Sequence, residues 1–200
     1  MGDYVVTTLD DELDYSGSDA TIELMGGLSD LSLREAIFLS NLNAIDADTI
    51  SFAIGGAVVL TQGQLTLAGN VTIDGDIDGD DKADITIDAS GQSRVIAVEA
   101  GADATLESLT ITGGAGSDFG GGIYNLGNLT IEATTVSGNS ATVGGGGIYN
   151  NGTLSVRNST ISGNQVTQGS GGGLFADTSA TTDLTNVTIF GNTAAGAGGG

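Results

Sequence analysis

The sequence predicts an all-β chain, a parallel β-solenoid closed at its amino-terminal end by a short cap holding one helix. Three observations carry this. Gly120-Gly121-Gly122-Ile123-Tyr124-Asn125 returns as Gly145-Gly146-Gly147-Ile148-Tyr149-Asn150 and again as Gly171-Gly172-Gly173-Leu174-Phe175. A fourth copy opens at Gly198-Gly199-Gly200, so the steps are 25, 26 and 27 residues. A second landmark keeps similar time, from Leu109-Thr110-Ile111 through Thr135-Val136-Ser137-Gly138-Asn139 and Thr160-Ile161-Ser162-Gly163-Asn164 to Thr188-Ile189-Phe190-Gly191-Asn192. Self-similarity at such a period marks stacked structural repeats. The repeat is also short, β-branched and glycine-punctuated, which makes its coils strands and not helices.

Taken in order, residues 4–9 read as a first strand and residues 21–24 as a second. Ser32-Leu33-Arg34-Glu35 then fits a capping box, and Leu33, Ile37 and Phe38 form an apolar stripe behind it. A helix is expected over about residues 32–42, placed to cover the first rung, whose open edge would otherwise recruit other strands. Residues 1–48 are therefore read as the cap and residues 49–200 as coils. Short runs such as Val71-Thr72-Ile73 and Ile85-Thr86-Ile87 alternate aliphatic with hydroxyl residues and end at Gly, Asn or Asp. From Thr105 onward each repeat reads as one coil of three strands, in one repeat residues 147–149, 154–156 and 160–162. Strand alternation turns Ile111, Val136, Ile161 and Ile189 inward and Thr110, Thr135, Thr160 and Thr188 outward. Asn139, Asn164 and Asn192 fall at a turn, where Asn tolerates left-handed φ and stacked amides can hydrogen-bond from rung to rung. Tyr124, Tyr149 and Phe175 are expected to stack. Because the last glycine triplet breaks a repeat mid-motif, the coils are expected to continue past Gly200.

Composition excludes several function classes. The chain has 25 acids against four cations, Arg34, Lys82, Arg94 and Arg157, a formal charge of -21. A nucleic-acid binder needs a basic footprint, so no nucleic-acid partner is expected, and an anionic membrane surface is disfavoured for the same reason. The absence of Cys removes disulfides and thiolate metal sites. Met1-Gly2-Asp3-Tyr4 has neither the basic nor the apolar region of a signal peptide, and no apolar run is long enough to insert in a membrane. Acidity of this degree favours solubility and the attraction of divalent cations.

Gly-Gly-Gly-Ile-Tyr-Asn followed by Gly-Thr-Leu-Ser-Val (152–156) and Asn-Ser-Thr-Ile-Ser-Gly-Asn (158–164) resembles bacterial right-handed parallel β-helix surface proteins, the polymorphic outer-membrane-protein-like and autotransporter-passenger-like chains. Leu31-Ser32-Leu33-Arg34-Glu35-Ala36-Ile37 is similar to their cap, which often reads Cys-Ser-Leu-Arg-Glu-Ala-Ile. The resemblance covers roughly residues 30–200. It implies a right-handed helix of the pectate-lyase-like superfold, an extracellular or outer-membrane location, and an adhesive or structural role.

Chemistry concentrates in Asp74-Gly75-Asp76-Ile77-Asp78-Gly79-Asp80-Asp81-Lys82-Ala83-Asp84. Hard Ca²⁺ takes six to eight oxygens, and acids at alternate positions of a tight loop can converge on one centre. An EF-hand register from Asp74 places Ile85 where the bidentate acid belongs. A register from Asp76 fits better: Asp76, Asp78, Asp80 and Asp84 supply carboxylates and Lys82 a carbonyl, similar to the calcium loops of integrin-type propeller repeats. Gly113-Gly114-Ala115-Gly116-Ser117-Asp118 matches the core of calcium-binding nonapeptide repeats, but as one copy it reads better as a glycine turn. Polysaccharide lyases, hydrolases and epimerases also use this fold, a link by fold alone. Here Arg94 and Arg157 belong to different coils, there is no His, and Glu107, Glu132, Asp177 and Asp183 form no opposed pair at a shared offset. The outward hydroxyls of Thr110, Thr112, Thr135, Ser137, Thr160 and Ser162 resemble the arrays of β-solenoid antifreeze proteins, yet Thr and Ser are ordinary on exposed strands. The expectation is a non-enzymatic, calcium-stabilised adhesive or structural module meeting host-surface or extracellular glycans or proteins. A polysaccharide-active enzyme with its site mostly elsewhere is the alternative, and ice binding a minor one.

Overall fold

Strands this short, aliphatic at every second residue, cannot fold alone; stacked coil on coil, they share one interior. A computed structural model describes residues 2–13, 30–42 and 45–200, and the strand expected at residues 21–24 lies outside them. The described chain is a parallel β-helix of four sheets running along one axis. The first sheet holds seven strands, Asp3–Val6, Ala47–Phe52, Asn70–Asp74, Asp103–Glu107, Asn128–Glu132, Thr153–Arg157 and Thr181–Thr185. The second holds six, from Gly56–Val59 through Ile85–Asp88, Leu109–Thr112, Thr135–Ser137 and Thr160–Ser162 to Thr188–Phe190. The third holds five, Leu65–Leu67, Ile96–Val98, Ile123–Asn125, Ile148–Asn150 and Leu174–Ala176.

The fourth sheet corrects the expectation of three strands per coil. Ala115–Gly116, Ser140–Ala141, Gln165–Val166 and Thr193–Ala194 stack in parallel, so the regular coils have four strands. Two residues are too few to display a period, and small residues after a glycine read as turn. Ala141 and Val166 nevertheless face the core.

Register puts like on like. Ile50, Ile73, Leu106, Ile131 and Val156 form one inward ladder, and Ile87, Ile111, Val136 and Ile161 another, none more than 1% exposed. Each such side chain contributes about 1.5–3 kcal/mol by leaving water. Ile189, at the same ladder position in the last coil, is 36% exposed.

Asn139, Asn164 and Asn192 do form a rung-to-rung ladder, but they point into the helix, and the left-handed residue is the glycine before each. Gly138, Gly163 and Gly191 have φ of 66°, 63° and 64°. Asn139 Nδ2 donates to Asn164 Oδ1 at 3.1 Å, and Asn164 Nδ2 to Asn192 Oδ1 at 3.0 Å. A second buried pair sits on the third sheet, where Asn125 Nδ2 donates to Asn150 Oδ1 at 2.8 Å. Tyr124, Tyr149 and Phe175 stack outside that sheet with centroids 5.1 and 5.8 Å apart.

The helix Leu33–Leu42 starts at the reciprocal capping box. Ser32 N donates to Glu35 Oε2 at 3.0 Å, and Glu35 N to Ser32 Oγ at 3.1 Å. Leu33, Ala36 and Ile37 join the core cluster that also contains Ile50, Leu65 and Leu67. At the helix end Asn41 stands in for a neighbouring strand: its Nδ2 donates to Thr66 O at 2.8 Å and its Oδ1 accepts from Ala68 N at 2.9 Å. The helix thus closes the edge of the third sheet. Arg34 fastens it, with Nε on Asp11 Oδ1 at 2.6 Å, Nη2 on Asp11 Oδ2 at 3.1 Å, and further bonds to the carbonyls of Gly63 and Gln64.

Candidate metal centre

Where the first sheet turns into the second, the later coils need very little chain. Ser108, Ala133, Asn158 and Asn186 each take φ near 50° at that corner and the next strand begins within two residues. In the earlier coil the same corner swells into the loop 75–84, between Asn70–Asp74 and Ile85–Asp88. Its neck is closed by Asp84 N donating to Gly75 O at 3.1 Å, while Gly75 N donates to Glu107 O at 2.9 Å and holds the loop to the next rung. Per-coil insertions of this kind map to one face of a solenoid, often the binding face.

Inside the loop the backbone wraps one carboxylate. Gly79 (φ 80°) and Asp81 (φ 59°) take left-handed conformations that bring successive N–H groups onto Asp76. Asp76 Oδ1 accepts from Gly79 N at 2.7 Å and Oδ2 from Asp81 N at 2.9 Å. Those donors, the Asp81 N–H foremost, hold the Asp76 carboxyl below its ordinary range. Asp84 Oδ2 accepts from Ile77 N at 3.0 Å, which fixes the far end. Asp76, Asp78 and Asp84 present oxygens that all lie within 4.8 Å of one another. Two donors on one Ca²⁺, each at about 2.3–2.6 Å, can be no farther apart than about 5 Å, so these three fit a single ion.

The remaining two expected ligands are placed differently. Asp80 turns to Lys82, accepting from its backbone N at 3.0 Å and pairing with its Nζ, and this contact raises the lysine's affinity for its proton. Register adds two acids and corrects the expectation that Glu107 and Glu132 share no offset in neighbouring coils. Asp74, Glu107 and Glu132 are direct cross-strand neighbours on the outer face of the first sheet. Burial, then the charges of Asp74, Glu132, Asp81 and Asp76, push the Glu107 carboxyl above its ordinary range. The loop and this ladder form one negative field, legible only once the coils are aligned.

Residues weighed for other chemistry have structural work. Arg94 lies 4.7 Å over the Tyr124 ring and donates to the carbonyls of Gly120 and Phe119 and to Gln64 Oε1, each at 2.8 Å. Asp177 accepts from the Tyr149 hydroxyl at 2.8 Å; burial and that bond push the tyrosine up to about 12. Arg157 stands beside Glu132 in register. Within the segment 113–118, Gly114 N donates to Asn139 Oδ1 at 2.8 Å, so that glycine motif is a corner of the helix. The outward column Thr110, Thr135, Thr160, Thr188 is continuous, but its neighbour ends on Phe190, 59% exposed. A shallow groove lined by Leu9, Asp10, Asp11, Val59 and Thr61 has its buried acid, Asp11, committed to Arg34.

Among the described residues no helix is long and apolar enough to cross a membrane. Comparison with protein-family models, with curated proteins and with solved structures gave no match.

Proposed function

We propose that the chain is a secreted or surface-exposed β-helical module of a large bacterial protein, adhesive or structural in role, whose early coils are stabilised by Ca²⁺. The observation that carries the reading is the acidic loop 75–84, an insertion into an otherwise minimal corner that gathers three carboxylates within one ion's reach. Asp76, Asp78 and Asp84 would hold the ion, joined by Asp80 once it leaves Lys82 and by the carbonyl of Lys82. The bound ion would supply charge neutralisation and no chemical step. It would tie the loop's two ends and relieve the repulsion that reaches Glu107. Regular outward ladders of Thr, Ser and acids, with Glu107 and Glu132 side by side on one face instead of opposed across a cleft, favour display of a surface to extracellular glycans or proteins over catalysis.

The test is thermal unfolding in chelator and in millimolar Ca²⁺. The wild-type chain should melt several degrees higher with calcium, and Asp78→Ala should remove that rise while leaving the chelator melt unchanged. Equal wild-type melts in both buffers would dispose of the metal. Release of unsaturated uronate or of reducing ends from acidic polysaccharides would overturn the non-enzymatic reading in favour of an enzyme.

A further inference from the structure

We propose that Asn128 and Asn151 are acceptors for N-linked glycosylation. The chain contains five Asn-x-Thr sequences, beginning at Asn70, Asn128, Asn151, Asn158 and Asn186. Such a sequence is an acceptor when the amide and the hydroxyl two residues on are offered together on an accessible surface. The structure separates the five. Strand alternation places Asn128 and Thr130 on the same outward face, with Asn128 exposed. Asn151-Gly152-Thr153 turns the corner from the third sheet into the first, and Asn151 and Thr153 are both exposed.

The Asn128 side chain makes no hydrogen bond, and the Asn151 amide only accepts one, from Ser179 Oγ at 3.3 Å, leaving its Nδ2 free. By contrast, Asn158 Nδ2 donates to Glu132 Oε1 at 2.5 Å and Asn186 Nδ2 to Asn158 Oδ1 at 2.7 Å. Asn70 is half-buried. The fold gives an inward hydrogen-bonding task to Asn125, Asn139, Asn150 and Asn164, and none to Asn128 or Asn151. Asn128 pairs in register with Thr153, so the two acceptors occupy the same corner on neighbouring coils. That corner is the opposite end of the first-sheet strands from the acidic loop, about 13 Å away at the usual rise, so sugar there would leave the loop open.

The step is a substitution at the anomeric carbon of a sugar activated through a phosphate ester, carried out by a glycosyltransferase. Asn Nδ2 forms the new C–N bond, the C–O bond to phosphate breaks with its electron pair leaving on phosphate, and the enzyme's base takes one amide proton. No oxidation or reduction occurs.

The experiment is peptide mass spectrometry on the protein purified from the cells that make it. Peptides containing Asn128 and Asn151 should carry sugar, and those containing Asn158 and Asn186 little or none. Added single hexoses would indicate a nucleotide-activated donor, and an oligosaccharide transferred whole a lipid-linked one. Thr130→Val and Thr153→Val should each clear sugar from their own site, while the corresponding Ser variants keep it. Recovery of both peptides unmodified, or sugar that survives the Val substitutions, would overturn the assignment. The outcome is independent of calcium.

Discussion

At the scale of single residues, the helix depends on groups that have no tolerance for change. Gly146 is one: a Cβ there would run into the carbonyls of Gln165 and Gly172 on the adjacent backbone. Gly146→Ala should cost about 3 kcal/mol, read as a loss in denaturant midpoint at unchanged slope. Asn164 is another, because its Oδ1 serves both the backbone N–H and the Nδ2 of Asn139. Asn164→Leu leaves the Asn139 N–H dry, while the Asn139 Nδ2 keeps the carbonyls of Ile111 and Ser137, and should lower stability by about 1–3 kcal/mol. An Asn164→Leu chain as stable as wild type would mean that the inward amides are replaceable filler. Glu107 acts in the other direction. Its folded-state carboxyl is raised, so its contribution is favourable below the ordinary Glu range and is lost as pH rises through the folded value. In chelator, Glu107→Gln should therefore be more stable than wild type at pH 7 and equal to it at about pH 4. Urea midpoints at the two pH values decide it. Which positions are glycine is plain in the sequence; that Asn139 and Asn164 face inward is not. Their spacing from Thr135 and Thr160 fits an outward turn equally well until Gly138 and Gly163 take the left-handed conformation.

At the scale of elements, the cap is the part most readable from local chemistry. Ser32 and Glu35 specify the helix start by a rule confined to four residues, and the box forms as expected. What local rules omit is how the helix is tied down, since Asp11 and Arg34 lie far apart in sequence and meet only through the fold. Burial pulls the Asp11 carboxyl upward, but the Arg34 guanidinium and the N–H groups of Gln62 and Thr61 outweigh it and leave it below the ordinary range. Arg34→Met strands that carboxylate and should cost about 3–5 kcal/mol at neutral pH. The sign follows from a lowered folded value: stability from the pair is complete above the ordinary Asp range and lost as pH falls through the folded one. The gap between wild type and Arg34→Met should therefore narrow steadily below about pH 4. A gap that persists undiminished in acid would mean that Arg34 acts by packing alone. The acidic loop is intermediate in legibility. Its composition announces a cation, whereas the turning of Asp80 toward Lys82 and the approach of Glu107 are facts of geometry.

At the scale of the whole molecule, a parallel β-helix is close to one-dimensional, each coil touching only its neighbours. The period that reveals this survives in the sequence because stacked coils must repeat their corner glycines and inward aliphatics in register. The fourth sheet leaves no such trace. One-dimensionality predicts a gradient of local stability. Central rungs such as Ile123–Asn125 and Ile148–Asn150 are paired on both sides and lie over fully buried Ile123 and Ile148. The first rungs are closed by the helix and Asn41. Amide exchange should then be slowest in the central coils and nearly as slow under the helix. Asp78→Ala or chelator should shift protection at Ile85–Asp88 and Asp103–Glu107, the strands that flank the loop, and leave Thr160–Ser162 unchanged. Uniform exchange along the chain, or a chelator effect spread equally over every coil, would show that the molecule opens as one cooperative block and not rung by rung.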